Sequence, residues 1–200
     1  MKIAFVGAGR MGRPMVDRLV RGGHKVSVLA RNDETRSALT ALGADAVADI
    51  TTAAAECDIA VVCVFTDDQV QAVAGPLLEA MPSGSVLLIH TTGSPATART
   101  LADRAAQHGI AVVDAPVSGG PHDIAAGQVT VFVGGEDAAV AQIRTALTCY
   151  AEPILHVGAV GSGQGMKLVN NTVFAAQIGL VAEAVALGER LGIAETVLLD

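Results

Sequence analysis

Residues 2–12 read KIAFVGAGRMG, an apolar segment that runs directly into a turn with three glycines. The apolar part has the length of a buried strand, and residues 11–21 carry apolar side chains at helical spacing. Between them, Gly7, Gly9 and Gly12 form the pattern G-x-G-x-x-G. A strand, this turn and a helix are together the context in which the pattern binds a dinucleotide. The opening of the chain therefore predicts a Rossmann-type fold.

Each glycine of this turn has a separate physical role. Gly7 permits the tight turn, Gly9 lets a pyrophosphate approach the backbone, and Gly12 lets the helix pack closely on the strand. The first amides of the helix, including those of Arg10 and Met11, then face the phosphates. The alternative interpretation is an ordinary tight connection between a strand and a helix.

Strand-like and helix-like segments keep alternating beyond this turn. We expect helix caps at Asp33, at Asp67 or Asp68, and at Ser94, where Pro95 takes the favoured first helical position. Strands separated by helices of this length indicate an α/β fold with a doubly wound, mostly parallel sheet. Further strands are predicted at 25–30, 58–65, 85–89, 110–114, 129–133 and 154–157, and further helices at 34–42, from 67 or 68 to 80, at 96–107 and at 136–147.

The last part of the chain follows a different pattern. Residues 165–191 contain no proline and no strand signal, and they predict one long C-terminal helix of about 40 Å. Its apolar side chains lie on nearly all sides, so it requires burial against another element. We therefore divide the chain into a Rossmann domain, 1–161, and a long helical segment, 162–200. Two copies of the helix packed together would form a homodimer, which is the expected assembly.

Composition and charge argue against several classes of protein. Hydrophobic residues make up 51% and charged residues 16% of the chain, which favours a packed domain over disorder. A net charge of −7 without a basic stripe argues against a nucleic-acid partner. No apolar run reaches the length of a transmembrane helix, so no membrane partner is expected. The cysteines and histidines lack metal-ligand spacing, so no metal site is predicted. The cysteines are interpreted as reduced, so the protein is expected to be cytoplasmic.

The residues after the second strand bear on the choice between NAD and NADP. NAD-specific sites usually place Asp or Glu there to hold the ribose 2′-hydroxyl. This chain has Ala30 followed by Arg31, and a guanidinium at that position can pair with a 2′-phosphate. NADP is therefore the preferred cofactor and NAD the alternative. Asp33 is the counter-argument, although we expect it to cap the next helix.

Two further segments complete a set of four motifs. Residues 114–120 read DAPVSGG after a predicted strand, and residues 161–171 read GSGQGMKLVNN at the start of the long helix. With the glycine turn and the strand end Arg31-Asn32, they resemble the β-hydroxyacid dehydrogenase family in order and distance. That family includes 3-hydroxyisobutyrate dehydrogenase, tartronate semialdehyde reductase and 6-phosphogluconate dehydrogenase. The resemblance extends over essentially the whole chain.

The resemblance implies roles for individual residues. Ser118, Gly119 and Gly120 would hold the substrate carboxylate, and their hydroxyl and unencumbered amides suit an anion. Lys167 would be the catalytic acid/base, and Asn171, four residues later on the same helix face, would help to hold the substrate. In oxidation, Lys167 would take the hydroxyl proton while hydride leaves the same carbon for the nicotinamide. The helix dipole and desolvation would both favour its neutral form.

The same resemblance implies further cofactor-binding residues. They are Asn32 beside Arg31, Val64 and Phe65 after the strand that begins near residue 58, and Thr92 after the next strand. Relatives often have Met-Leu-Pro where this chain has Cys-Val-Phe, so these two loops depart from the family pattern.

The segment His90-Thr91-Thr92-Gly93 also departs from the family, because it is one residue shorter than usual. Thr91 is therefore the alternative to Thr92, and His90 is interpreted as a strand-end histidine without a catalytic role. The family's chains continue into an all-helical second domain that covers the long helix, whereas this sequence stops at Asp200. The chain as given is thus expected to lack that domain, either because it is a fragment of a longer enzyme or because it relies on another subunit.

The motifs together predict an NAD(P)-dependent oxidoreductase. It would transfer a hydride between a nicotinamide cofactor and a small β-hydroxy acid or semialdehyde, so its partner would be a small carboxylate substrate. One alternative is an imine-reductase-like enzyme, a class with a similar fold that usually lacks a lysine at position 167. The other alternative is a non-catalytic NADP-binding dimerisation module.

Overall fold

The computed structural model describes residues 1–199, and these form an α/β fold with nine strands and nine helices. The strands are β1 (Lys2–Val6), β2 (Lys25–Leu29), β3 (Asp45–Val47), β4 (Ile59–Val62), β5 (Val86–Ile89), β6 (Ala111–Asp114), β7 (Val117–Ser118), β8 (Val129–Gly134) and β9 (Ala151–Gly158). The helices are α1 (Gly12–Arg21), α2 (Asp33–Thr40), α3 (Ile50–Ala54), α4 (Asp67–Ala80), α5 (Pro95–Ala106), α6 (Pro121–Ala126), α7 (Asp137–Leu147), α8 (Ser162–Arg190) and α9 (Glu195–Leu199).

All nine strands belong to one sheet, in the order β3-β2-β1-β4-β5-β6-β8-β7, with β9 also paired to β8. The pairs from β3 to β6 are parallel, whereas β8 runs antiparallel to β6 and β7. The predicted doubly wound, mostly parallel sheet is therefore confirmed. The strand order reverses between β1 and β4, and ligands of open α/β sheets bind at such a switch point, outside the carboxyl ends of the strands.

Apolar side chains alternate between the two faces of this sheet. In β1, Ile3 and Phe5 join a core cluster with α1, α2, α6 and α7, while Ala4 and Val6 join a second cluster with α3, α4 and α5. Each Leu, Ile or Val side chain buried in this way contributes about 1.5–3 kcal/mol relative to exposure. Helices on both faces hold the carboxyl ends of the strands in fixed positions.

Five short elements were not predicted from the sequence, namely β3, α3, β7, α6 and α9. Each has six residues or fewer. A periodic apolar pattern needs a longer segment than this to become visible, so tertiary contacts determine these elements.

The N-terminus of α2 differs from the prediction. Asn32 is the cap, because its Oδ1 accepts a hydrogen bond from the amide of Thr35 at 2.8 Å. A cap must be the last residue outside the helix, and Asp33 is already the first residue inside it. Asp33 instead accepts a hydrogen bond from the guanidinium of Arg36 at 2.7 Å. The prediction that Asp33 is the cap is therefore wrong.

The same correction applies to α4. Thr66, rather than Asp67 or Asp68, caps this helix, because its Oγ1 accepts from the amide of Gln69 at 3.2 Å. Asp67 Oδ2 accepts from the backbone amide of Ser94 at 2.9 Å and so connects α4 to the start of α5. Ser94 caps α5 as predicted.

The chain divides into two compact units, residues 1–167 and a second unit that begins at Leu168. The predicted long helix is present as α8, which begins three residues earlier than predicted and has 29 residues, or about 43 Å at 1.5 Å per residue. The division between the units falls inside this helix. The sheet and all of its covering helices belong to the first unit.

In the second unit, the large apolar side chains of α8 are exposed to solvent. By length and composition alone, α8 could cross a membrane, so the expectation that no segment reaches this length is wrong. A single helix of this kind is weak evidence for a membrane span, since helices of soluble proteins meet the same two criteria. The exposed side chains are those of Leu168, Val169, Val173, Phe174, Ile178, Leu180, Val181 and Leu187.

Candidate active site

Three loops and the N-terminal turn of α8 meet at the carboxyl edge of the sheet. The loops follow β1, β4 and β5, which are neighbours across the switch point. The first turn of α8 is hydrogen-bonded to the end of β6. All of these parts lie in the first unit.

The glycine turn after β1 is close-packed on two sides and open on the third. Gly7 has φ +101°, and a Cβ there would collide with the carbonyl oxygen of Cys63. A Cβ on Gly12 would collide with the carbonyl oxygen of Gly7 and come within 2.9 Å of the Phe5 ring. A Cβ on Gly9 would meet nothing within 4 Å, so the backbone at Gly9 is open to an approaching ligand.

A cleft of about 420 Å³ opens beside this turn. Six of the ten predicted cofactor-binding residues line it: Gly7, Gly9, Arg31, Asn32, Val64 and Phe65. The other four are outside the lining. Arg10 is exposed, Met11 packs against the core, Gly12 is buried in the helix start, and Thr92 lies in the loop after β5.

Arg31 and Asn32 differ in their availability to a ligand. Arg31 is exposed on the lining of the cleft, and within residues 1–199 its guanidinium has no hydrogen bond or ion pair. The side-chain oxygen of Asn32 is already used in capping α2. The guanidinium of Arg31 and the N-terminus of α2 can bind an anion, although the first turn of this helix also carries Asp33 and Glu34.

The loops after β4 and β5 are joined by a hydrogen bond. The amide of Val64 donates to Thr91 Oγ1 at 2.9 Å, which turns the Thr91 side chain inward and buries it. Thr92, by contrast, is exposed. Phe65, whose amide donates to Gln69 Oε1 at 2.8 Å, is also exposed. Of the two threonines, Thr92 is therefore the one whose side chain can reach a bound molecule.

His90 is fully enclosed between two partners. Its Nδ1 lies 2.6 Å from the carbonyl oxygen of Ala115 and its Nε2 lies 2.7 Å from the hydroxyl of Tyr150. Because a carbonyl can only accept, we assign the proton to Nδ1, and Nε2 then accepts from Tyr150. Burial lowers the pKa of His90 to about 4. Within the described chain its ring is therefore a neutral packing group.

Asp114 is a site residue that the sequence reasoning placed in a motif without giving it a role. It is completely buried, and its carboxylate accepts hydrogen bonds from the amides of Gly161 at 2.6 Å and Gln164 at 2.7 Å. Burial raises its pKa, and the backbone amides at the start of α8 oppose that shift. An acidic residue at the end of an apolar strand was the available signal, but its partners lie 47 and 50 residues away.

Gln164 was also missed. It is buried, its Nε2 donates to the carbonyl oxygen of Thr91 and its Oε1 accepts from the amide of Gly93, both at 2.8 Å. The loop after β5 and the first turn of α8 therefore form one hydrogen-bonded unit.

Lys167 follows in the second turn of α8. It is half-buried, and within residues 1–199 its ammonium has no hydrogen bond or ion pair. Desolvation by burial lowers the pKa of Lys167 below its usual value of 10.5. A partly desolvated lysine without a fixed anion is suited to proton transfer.

Ser118 is the last residue of β7, and Gly119 and Gly120 connect this strand to α6. Gly119 has φ +136°, a conformation that favours glycine. The Gly120 amide donates to Asp123 Oδ2 at 2.6 Å, so the expectation that this amide is unencumbered is wrong. The side chain of Asp123 reaches back because Gly120 caps α6. Asn171, predicted to act with this segment, is an exposed residue of the second unit.

Comparison with known proteins groups this chain with dehydrogenases. Residues 2–158 match the family described as the NAD binding domain of 6-phosphogluconate dehydrogenase. The chain is 34% identical over 196 residues to 2-(hydroxymethyl)glutarate dehydrogenase of Eubacterium barkeri, covering 96% of this chain and 65% of that protein. It is 33% identical over 202 residues to the NAD-dependent L-serine dehydrogenase of Pseudomonas aeruginosa, covering 100% of this chain and 68% of that protein.

Solved structures agree with this grouping. The 3-hydroxyisobutyrate dehydrogenase of Mycobacterium tuberculosis, studied with L-serine, superposes with a TM-score of 0.92 at 35% identity, covering 96% of this chain and 66% of that one. An imine reductase of Streptomyces aurantiacus superposes with a TM-score of 0.88 at 25% identity, covering 98% and 69%. The chain thus spans about two thirds of the length of the relatives that it matches.

Proposed function

The chain belongs to the family of the 6-phosphogluconate dehydrogenase NAD-binding domain and to the β-hydroxyacid dehydrogenases, and we propose that it works as one of them. The reaction is hydride transfer between a nicotinamide cofactor and a small β-hydroxy acid or its semialdehyde. The observation that carries the proposal is the half-buried Lys167, without an anionic partner in residues 1–199, on a helix anchored to the cofactor loops.

The cleft beside the glycine turn fits a dinucleotide. The open side of Gly9 leaves room for a pyrophosphate, and Arg31 and the N-terminus of α2 suit the adenosine ribose end. Val64 and Phe65 line the same cleft, and Thr92 extends the site toward the end of β5. When bound there, the cofactor supplies the hydride acceptor or donor.

Lys167 provides the proton transfer. With its pKa lowered by desolvation, its neutral amine accepts the hydroxyl proton of the substrate as the alcohol is oxidised. In the reverse direction its ammonium protonates the developing alkoxide. Because no carboxylate in residues 1–199 forms an ion pair with it, the amine keeps its lone pair accessible once it is neutral.

The substrate carboxylate is bound by the segment after β7. Ser118 contributes a hydroxyl, and Gly119 and Gly120 allow a close backbone approach because they carry no side chains. The Gly120 amide is shared with Asp123, so an incoming carboxylate competes with that side chain. Asn171, four residues beyond Lys167, adds an amide that orients the substrate.

NADP is the preferred cofactor in this proposal. No carboxylate in residues 1–199 forms an ion pair with Arg31, Asp33 is paired with Arg36, and no acid follows β2 at Ala30. A guanidinium forms strong charge-assisted hydrogen bonds to a phosphate. The relative named for NAD dependence shows that the wider family also uses NAD.

A homodimer formed through α8 is the assembly that the exposed side chains support. Several large apolar residues of this helix lie in solvent, and burying each would gain about 1.5–3 kcal/mol. Packing of one α8 against another in a two-fold arrangement is the simplest way to cover them.

The proposal is tested by steady-state kinetics with Lys167→Met. The assay follows nicotinamide reduction with a panel of β-hydroxy acids, and nicotinamide oxidation with semialdehydes and cyclic imines. The change should lower kcat by about 10²- to 10⁴-fold, the usual contribution of a general acid/base, while leaving cofactor affinity nearly unchanged. The matched control is Lys25→Met, because Lys25 is an exposed lysine at the opposite edge of the sheet. Full activity in the Lys167→Met protein, or turnover of imines alone, would contradict the proposal.

A further inference from the structure

The Gln164 side chain forms two hydrogen bonds with the loop after β5. It accepts from the amide of Gly93 and donates to the carbonyl of Thr91, two residues apart in this loop. A carboxamide offers one acceptor and one donor side by side, which matches these two groups. Gln164 is 2% exposed, so neither bond competes with bulk water.

The backbone of Gln164 is fixed as firmly as its side chain. Its amide donates to Asp114 Oδ2 at 2.7 Å, and Asp114 also accepts from Gly161 at 2.6 Å. The carboxylate of Asp114 therefore anchors the first turn of α8 to the end of β6. Lys167 lies three residues after Gln164, within one helical turn.

The loop on the other side is fixed as well. Thr91 Oγ1 accepts from the amide of Val64, so the segment held by Gln164 also holds the loop after β4. Thr92 lies between the two backbone groups that Gln164 binds, and its side chain is exposed. Movement of this segment would therefore displace both cofactor loops.

We propose that Gln164 is a positioning residue that sets the place of Thr92 relative to the helical turn that carries Lys167. The inference rests on the proposed function and deepens it. It states that one amide side chain aligns the loop on the nicotinamide side of the site with the acid/base Lys167. The hydrogen bonds of Gln164 join Thr91, Gly93 and Asp114.

The first test compares Gln164→Met and Gln164→Glu with wild type in calorimetric titrations at pH 7. The ligands are the dinucleotide that the wild type binds more tightly and the fragment of it without the nicotinamide riboside, 2′,5′-ADP or ADP. Loss of both hydrogen bonds in Q164M, and of the donor to the Thr91 carbonyl in Q164E, should weaken dinucleotide binding about tenfold. Fragment binding should change less than twofold, because the fragment does not reach Thr92.

The second test uses the chemistry of the Q164E carboxyl. When protonated it offers one hydroxyl donor and one carbonyl acceptor, as the glutamine amide does, and when ionised it offers only acceptors. Burial raises the pKa of such a group. Dinucleotide affinity of Q164E, relative to wild type at the same pH, should therefore recover between pH 7 and pH 5, whereas that of Q164M should not. Fragment affinity of Q164E, relative to wild type, should stay unchanged over the same pH range, which a general loss of structure would not allow.

Gln142 provides the matched control, because its Nε2 donates to the carbonyl of Gly84 at the opposite edge of the sheet. Q142M and Q142E should bind both ligands like wild type. Equal dinucleotide affinity in the Gln164 variants and wild type, or equal loss of the fragment, would overturn the proposal. If Q164M fails to fold by circular dichroism, the pH recovery of Q164E decides.

Different results would overturn the proposed function itself. These are a wild-type protein that binds no nicotinamide dinucleotide, or a Lys167→Met protein that keeps full activity. In either case the role of Gln164 falls with it. If wild type binds the dinucleotide and depends on Lys167 while the Gln164 variants behave like wild type, the role of Gln164 alone is overturned.

Discussion

Protonation of His90 should destabilise the folded protein at acidic pH by an amount that follows from its pKa. The pKa of His90 is lowered from about 6.5 in the unfolded chain to about 4 in the folded protein, because burial penalises the imidazolium. A group with a depressed folded-state pKa contributes stability that is present above its unfolded pKa. That stability is lost as the pH falls through the folded pKa, so the window runs from about pH 6.5 down to pH 4.

The size of the effect follows from the difference between the two pKa values. A difference of about 2.5 at about 1.36 kcal/mol per unit gives roughly 3 kcal/mol, a large part of the stability of a typical domain. Protonation would also force Nε2 to donate, although Tyr150 currently donates to it at 2.7 Å. The tyrosine hydroxyl must then turn, since the carbonyl of Ala115 already occupies Nδ1.

The assay is urea unfolding of wild type and His90→Gln at pH 7 and pH 4. The glutamine does not titrate, so the loss of unfolding free energy between the two pH values should be about 3 kcal/mol smaller in the variant. His108→Gln is the control, because His108 is exposed, and it should lose as much stability as wild type. An equal loss in wild type and His90→Gln would refute this reasoning.

Three other predictions concern the cofactor turn, the cofactor choice and the assembly. Gly9→Ala should leave the melting temperature in differential scanning calorimetry nearly unchanged, yet abolish tight dinucleotide binding in calorimetric titration. Gly12→Ala should instead destabilise the fold by about 1–3 kcal/mol, because the added methyl group overpacks the turn. Arg31→Ala should weaken NADPH binding by roughly 10- to 150-fold and leave NADH binding nearly unchanged; equal affinities for both cofactors in wild type would contradict the NADP preference. Replacing Phe174 and Ile178 with Gln should shift a homodimer toward monomer in light scattering, and a wild-type monomer at micromolar concentration would refute self-association through α8.

Much of the fold could be predicted because its determinants are local. The glycine turn, the apolar strand before it and the helix after it lie within the first 21 residues, and all three are present. The long helix could be predicted from an unbroken run of helix-forming residues. The helix caps were harder to predict from the sequence. Asn32 and Thr66 lie just before their helices, whereas the neighbouring aspartates are already inside them, and all of these side chains can cap a helix.

The candidate site, like the fold, could be predicted from the sequence only in part. The sequence by itself predicted where a phosphate would approach, because Gly9 and Gly12 act through the absence of a side chain at fixed spacing. It also predicted Lys167 as the acid/base, through a family resemblance. Neither conclusion depends on knowing which distant residues are neighbours.

Only the tertiary structure decided what surrounds these residues. Asp114 meets α8 across 47 and 50 residues, Gln164 meets the loop after β5 across 71 and 73, and His90 meets Tyr150 across 60. Such pairs have no sequence period, because they arise where buried polar groups from separate strands and helices must satisfy one another. The sheet brings those groups to one edge, and the hydrogen bonds formed there turn Thr91 inward and leave Thr92 exposed.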